Sequence, residues 1–168
     1  FGLTALDSLD GSSPGGDNTA LGNAALTALT TADYNTAIGS SAGTAITTGG
    51  NNVAVGSSAL SANTTGSRLT ALGQSALAAN TTAAYNVAIG DRALLTNTGS
   101  AMNVAVGANA LYNFNVASGD GYNVAIGKNA GFAVTTGTLN TLIGGAAGDA
   151  ITTGANNTAL GYNSLGAT

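Results

Sequence analysis

The sequence predicts an all-β fold: a parallel β-solenoid, or β-roll, of about nine stacked 17-residue coils. Three observations predict it. A five-residue phrase recurs in register along nearly the whole chain. The same residue type, glycine, closes every copy of the phrase. No copy is followed by an amphipathic run of the roughly 10–12 residues that a helix needs.

The phrase starts at Asn18 (NTALG), Asn35, Asn52, Leu69 (LTALG), Asn86, Asn103, Asn123, Asn140 and Asn157. Each step is 17 residues except that from Asn103 to Asn123, which is 20, so the unit spanning 103–122 carries a three-residue insertion. The tandem array therefore runs over 18–168, behind a divergent N-terminal unit at 1–17 in which LTAL (residues 3–6) is followed by Asp7 in place of the glycine. The chain opens on Phe1 and breaks off inside a unit, as expected of a processed or excised part of something longer.

Within the phrase, the first position is Asn in all units but one, the second is Thr or Val, and the third is Ala except at Leu142. The fourth is always Leu, Ile or Val, and the fifth is always glycine: Gly22, Gly39, Gly56, Gly73, Gly90, Gly107, Gly127, Gly144 and Gly161. The sixth and seventh positions vary, the eighth is Ala except at Ser164, and the ninth is Leu or Gly. The thirteenth and fourteenth are mostly Thr-Thr. Each unit reads as a short strand, a glycine corner needing positive φ or close backbone approach, a second short strand, and a Thr/Gly/Asn return. At ~3.3 Å per residue the coil has a perimeter of about 50 Å or less, and at ~4.8 Å per coil the rod is roughly 40 Å long. Stacked Asn side chains are expected to form an amide ladder at one corner, and stacked Thr a hydroxyl ladder at another.

Alternation within the strand predicts a partner. Positions two and four point one way and position three the other, yet both faces are apolar. A strand apolar on both sides is normally buried on both. One face lines the coil, and the other needs an opposite wall or another chain, so a homo-oligomer is expected.

The repeated NVAIG phrase, with Ala three residues beyond its glycine, resembles the head repeat of trimeric autotransporter adhesins. The longer unit, such as NTAIGSSAGTAITTGGN from Asn35 to Asn51, resembles repeats of bacteriophage tail fibres. That resemblance covers about Leu3 to Gly166 and implies a left-handed parallel β-roll, three chains side by side, projecting from a virion or bacterial surface. The adhesin-head unit is shorter, so its coil geometry is not carried over. The resemblance implies a non-enzymatic structural or adhesive fibre that mediates attachment, in an extracellular setting. A self-assembling extracellular filament subunit is the alternative.

Composition excludes several other functions. Only 6% of residues are charged and the net charge is −4, which leaves no basic footprint for nucleic acid. Nor is there an apolar run of about 18 residues to span a membrane. His, Cys and Glu are absent, and the seven Asp are scattered, so neither a general base, a thiol nucleophile, a paired-carboxylate site nor a metal or cofactor site is expected. The Thr pairs raise ice binding, but adjacent Thr point to opposite faces of a strand. The place for specific binding is the irregular unit, which concentrates Tyr112, Phe114 and Tyr122, with Phe132 one coil on. Tyr112 and Phe132 share a repeat position with Leu95 and are expected to stack. Such rings are a platform for a cell-surface glycan or protein receptor.

Overall fold

A computed structural model describes residues 16–166. The divergent unit at residues 3–6, with Asp7 and Asp10, lies outside them. Nine short strands form one parallel sheet: β1 (Thr19–Leu21), β2 (Thr36–Ile38), β3 (Val53–Val55), β4 (Thr70–Leu72), β5 (Val87–Ile89), β7 (Val104–Val106), β9 (Val124–Ile126), β10 (Thr141–Ile143) and β11 (Thr158–Leu160). They stack in chain order around about eight turns, a β-solenoid with no helix among the described residues. Identical repeat positions pair throughout, as in Thr36↔Val53, Ala37↔Ala54 and Ile38↔Val55. A second, two-stranded parallel sheet pairs β6 (Ser100–Ala101), at the end of the coil before the insertion, with β8 (Gly119–Asp120), in the unit that carries it.

Each coil contains one main strand, not two. The expected second strand, around the eighth to tenth positions, is replaced by turns. Among the described residues, all non-glycine residues of positive φ fall on three columns: the seventh position, the ninth, and the residue before the Asn column. Two left-handed residues so close together cannot continue an extended backbone. The ninth position explains why the chain accepts this. Leu26, Leu60, Leu77, Leu94 and Leu111 are left-handed and fully buried. Left-handed geometry costs a leucine about 1–2 kcal/mol, while burying its side chain returns about 1.5–3 kcal/mol. The turn is what lets a long side chain reach the centre of a narrow coil.

In six coils the interior is filled by a compensating pair, while two coils bury a large residue at both positions, Leu26 with Leu29 and Leu111 with Phe114. Where the ninth position is Leu60, Leu77 or Leu94, the twelfth is Asn63, Asn80 or Asn97, buried and bonded to the return turn. Where the ninth is Gly43, Gly131 or Gly148, the twelfth is Ile46, Val134 or Ile151. A Cβ on Gly43 would come within 2.8 Å of Ile46 Cδ1 and 2.9 Å of Leu26 Cδ2. Gly43→Leu should therefore destabilise by about 1–3 kcal/mol through overpacking. Adding Ile46→Asn rebuilds the arrangement of the next coil, where Asn63 bonds both N–H and C=O of Gly66. The double variant should recover at least about 1 kcal/mol, a non-additivity that a urea double-mutant cycle measures.

The Asn column closes each coil and joins it to the next. Asn123 is fully buried. Its Oδ1 accepts from the backbone N–H of Asn140 at 3.0 Å, and its Nδ2 donates to Gly137 O at 2.9 Å, on the return of its own coil. The same pattern recurs at Asn18, Asn35, Asn52, Asn86 and Asn140. Asn103, at the head of the irregular unit, keeps the first half, its Oδ1 accepting from the Asn123 N–H, but its Nδ2 donates to Ala101 O of the preceding coil at 2.9 Å. Leu69 splits this column into two runs, its own N–H bonded to Asn52 Oδ1. Asn123→Ala strands a buried N–H and a buried C=O. At about 1–3 kcal/mol for each unsatisfied group, it should cost roughly 2–6 kcal/mol in denaturant titration.

Candidate functional site: an apolar sheet face and its two edges

The strand presents its faces with a definite sense. The third-position alanines, Ala37, Ala54, Ala71, Ala88, Ala105 and Ala125, line the interior and are buried. The second and fourth positions therefore point out of the coil. Val and Ile at these strand positions do not belong to the interior, because the side chains of the ninth and twelfth positions already fill that space. Leu21, Ile38, Ile89, Ile126 and Leu160 are exposed, and Val55, Leu72, Val106 and Ile143 are half-buried. Together they make an outward column of branched aliphatic side chains that no charge interrupts, flanked by the Thr and Val of the second position.

Two corners border this face. At the corner entering the strand stand left-handed residues including Tyr34, Arg68, Tyr85, Met102, Tyr122 and Leu139, all exposed. The Arg68 guanidinium lies 5.2 Å from the Tyr85 ring centroid and donates to the Tyr85 hydroxyl at 2.8 Å. The Tyr122 hydroxyl donates to Asp120 Oδ2 at 2.9 Å. That bond, with the carboxylate's negative charge, raises the Tyr122 phenol above its ordinary pKa. At the corner leaving the strand, the sixth and seventh positions carry Gln74, Asp91, Arg92 and Lys128. Asp91 and Arg92 form an exposed ion pair at 3.0 Å, of a kind worth little to stability. Among the described residues, Lys128 forms no ion pair.

The four aromatics of the irregular region do not form one surface. Phe114 is 0% exposed and sits in the core, which corrects its reading as a surface-binding residue. It occupies the twelfth position, an inward column, beside Leu111. Tyr122 stands at the corner entering the strand, on a different column from Tyr112 and Phe132. Those two do stack, with centroids 5.2 Å apart and planes at 28°. Stacking along the rod covers one ring's face with the other's, so what Tyr112 offers outward is mainly its edge, while Phe132 is 38% exposed. The inward periodicity of the twelfth position, visible in Leu29, Ile46 and Val134, was the signal that could have placed Phe114.

The Thr columns divide by role. Hydroxyls of the thirteenth position donate to the backbone of the next coil: Thr47 to Thr64 O, Thr64 to Thr81 O and Thr81 to Thr98 O, each at 3.1 Å. Only the fourteenth-position hydroxyls, as in Thr48 and Thr65, are left to face solvent. Among the described residues no group of three His, Cys, Asp or Glu is placed to hold a metal ion, and no helix is long and apolar enough to cross a membrane.

No protein-family model, no curated protein and no solved structure matches the chain. The likeness to adhesin heads and tail fibres therefore rests on the repeat phrase itself.

Proposed function

We propose that the chain is a non-enzymatic fibre module whose rods associate side by side, three together, to project from a virion or bacterial surface and mediate attachment. The observation that carries this reading is the outward aliphatic column of β1–β5, β7 and β9–β11. A solvent-facing parallel sheet would carry polar residues there. This one repeats Leu, Ile or Val in every coil, and a parallel sheet is normally covered on both faces. Covering one rod with copies of itself satisfies every coil at once, because the same residue types recur at the same height. The setting is extracellular, and the resulting fibre takes its length from the number of coils and needs no cofactor. The Tyr112–Phe132 stack, beside the three-residue insertion, is the part offered to a surface glycan or protein receptor.

Light scattering on the purified chain should give about three times the 15.9 kDa chain mass, and electron microscopy should show short straight rods. A particle of one chain mass at micromolar concentration removes the side-by-side reading. Rods that instead join end to end into long filaments favour the filament-subunit alternative. For attachment, Tyr112→Ala with Phe132→Ala should reduce binding of labelled protein to cells about tenfold or more without changing particle mass, since truncating an aromatic hot spot of an interface costs about 2 kcal/mol or more. Undiminished binding by the double variant would remove the stack from the receptor site.

A further inference from the structure

We infer that copies of this chain meet edge to edge in parallel and in register, the corner entering the strand of one copy lying against the corner leaving the strand of the next, with Tyr122 and Asp120 facing Lys128. This rests on the side-by-side reading above and adds the direction, the register and the contacting edges.

Size is the first ground. The strand face is three residues wide, about 10 Å, and nine strands stack to about 38 Å, giving roughly 400 Å². A stable interface takes about 800 Å² from each partner. The sheet face alone is too small, and adding the two corners, which roughly doubles the width, supplies the difference. The corners are furnished for it. The one entering the strand exposes tyrosines, a methionine and a leucine, more apolar surface than an edge in water has reason to carry.

Symmetry then restricts which edges meet. Any rotation axis parallel to the rod brings the entering corner of one copy to the leaving corner of the next, at the same height. An axis across the rod brings entering corner to entering corner and inverts the order of coils. In three layers the two corners of this chain complement each other. Leu139 shares its layer with Gly145, and Met102 shares its layer with Ala108, large against small. In the layer of β9, Tyr122 holds the Asp120 carboxylate on one corner, and Lys128 stands on the other with no ion pair among the described residues. These two charges are six or more residues apart along an extended strand, about 20 Å, so they cannot pair within one chain. Between copies in register they can. The three-residue insertion that delivers Asp120 thus supplies the acid in the one layer whose opposite corner carries the chain's only lysine. Inverted copies would set tyrosine against tyrosine and leave Lys128 unmatched.

The chain has no cysteine, so disulfide trapping has no background. In the double variant Tyr122→Cys, Lys128→Cys, oxidation should convert most of the protein into covalent oligomers on a non-reducing gel. Each single variant should stay at one chain mass, because a disulfide needs Cα atoms within about 7 Å. A second pair, Tyr122→Cys with Gln74→Cys, lies three coils out of register, about 14 Å, and should not cross-link. Oligomers by light scattering with no covalent product from the in-register pair, or with product from the Gln74 pair or from Tyr122→Cys alone, overturn the inference and leave the side-by-side reading standing. A single-chain mass before oxidation overturns both.

Discussion

Gly90→Ala should cost about 2–6 kcal/mol, the sum of a backbone term and a packing term of about 1–3 kcal/mol each, and should split the cooperative unfolding of the rod. Gly90 has φ +133°, a conformation that L-residues rarely adopt, and a Cβ there would lie 2.6 Å from the carbonyl oxygen of Gly107 in the next coil. The added methyl can be accommodated only by moving two coils apart, which breaks ladder bonds on both sides. In a stacked array stability is a sum over neighbouring coils. A central wedge should therefore leave two shorter segments melting separately in calorimetry. Gly161→Ala separates the two terms. Its φ is +116° but no atom lies within 4 Å of the added Cβ, so it should lose only the backbone part, about 1–3 kcal/mol. Equal losses at both sites would mean that the close approach between coils contributes nothing.

Ile89→Asp with Ile126→Asp should dissolve the assembly and leave the coil intact. Both side chains point out of the solenoid and are exposed in the single chain. Exposed substitutions of this kind usually change chain stability by no more than about 0.5 kcal/mol. Against a second copy each carboxylate would be buried without a partner, at about 3–5 kcal/mol. Since every 1.4 kcal/mol is about tenfold in Kd, even one such contact weakens association at least a hundredfold. Particle mass should fall to 15.9 kDa while the circular dichroism of the β-structure stays unchanged. A variant that keeps its mass would show that the aliphatic column is not the contact surface. One that loses its β-signal would show that the column holds the single coil together.

Much of this architecture was legible in the repeat itself. Self-similarity at fixed spacing named the solenoid, and stacking like upon like follows from it, so the Asn ladder and the Tyr112–Phe132 stack could be written down from residue numbers alone. Orientation could not. Ala37 and Ile38 are both apolar, and alternation says only that they point opposite ways. Which one enters the coil depends on the room left by Leu26 and Leu60, residues that sit elsewhere in the turn. The same dependence misled the reading of Phe114: an aromatic cluster in the sequence is one surface only if the residues share a column, and Phe114 belongs to an inward column while Tyr122 stands at a corner. The missing second strand has a related cause. An Ala-Leu pair after the glycine corner reads as a second strand only from its place in the repeat, but the coil is so narrow that the leucine must be turned inward through left-handed backbone.

The sequence by itself thus determined the unit, its register, the glycine corner and the Asn column, because each repeats and a repeated residue must meet its own copy one coil away. Only the tertiary structure decided which apolar face is inside and which aromatics are available to a partner. Those depend on the volume enclosed by one turn, a quantity set jointly by the third, ninth and twelfth positions and by no one of them alone.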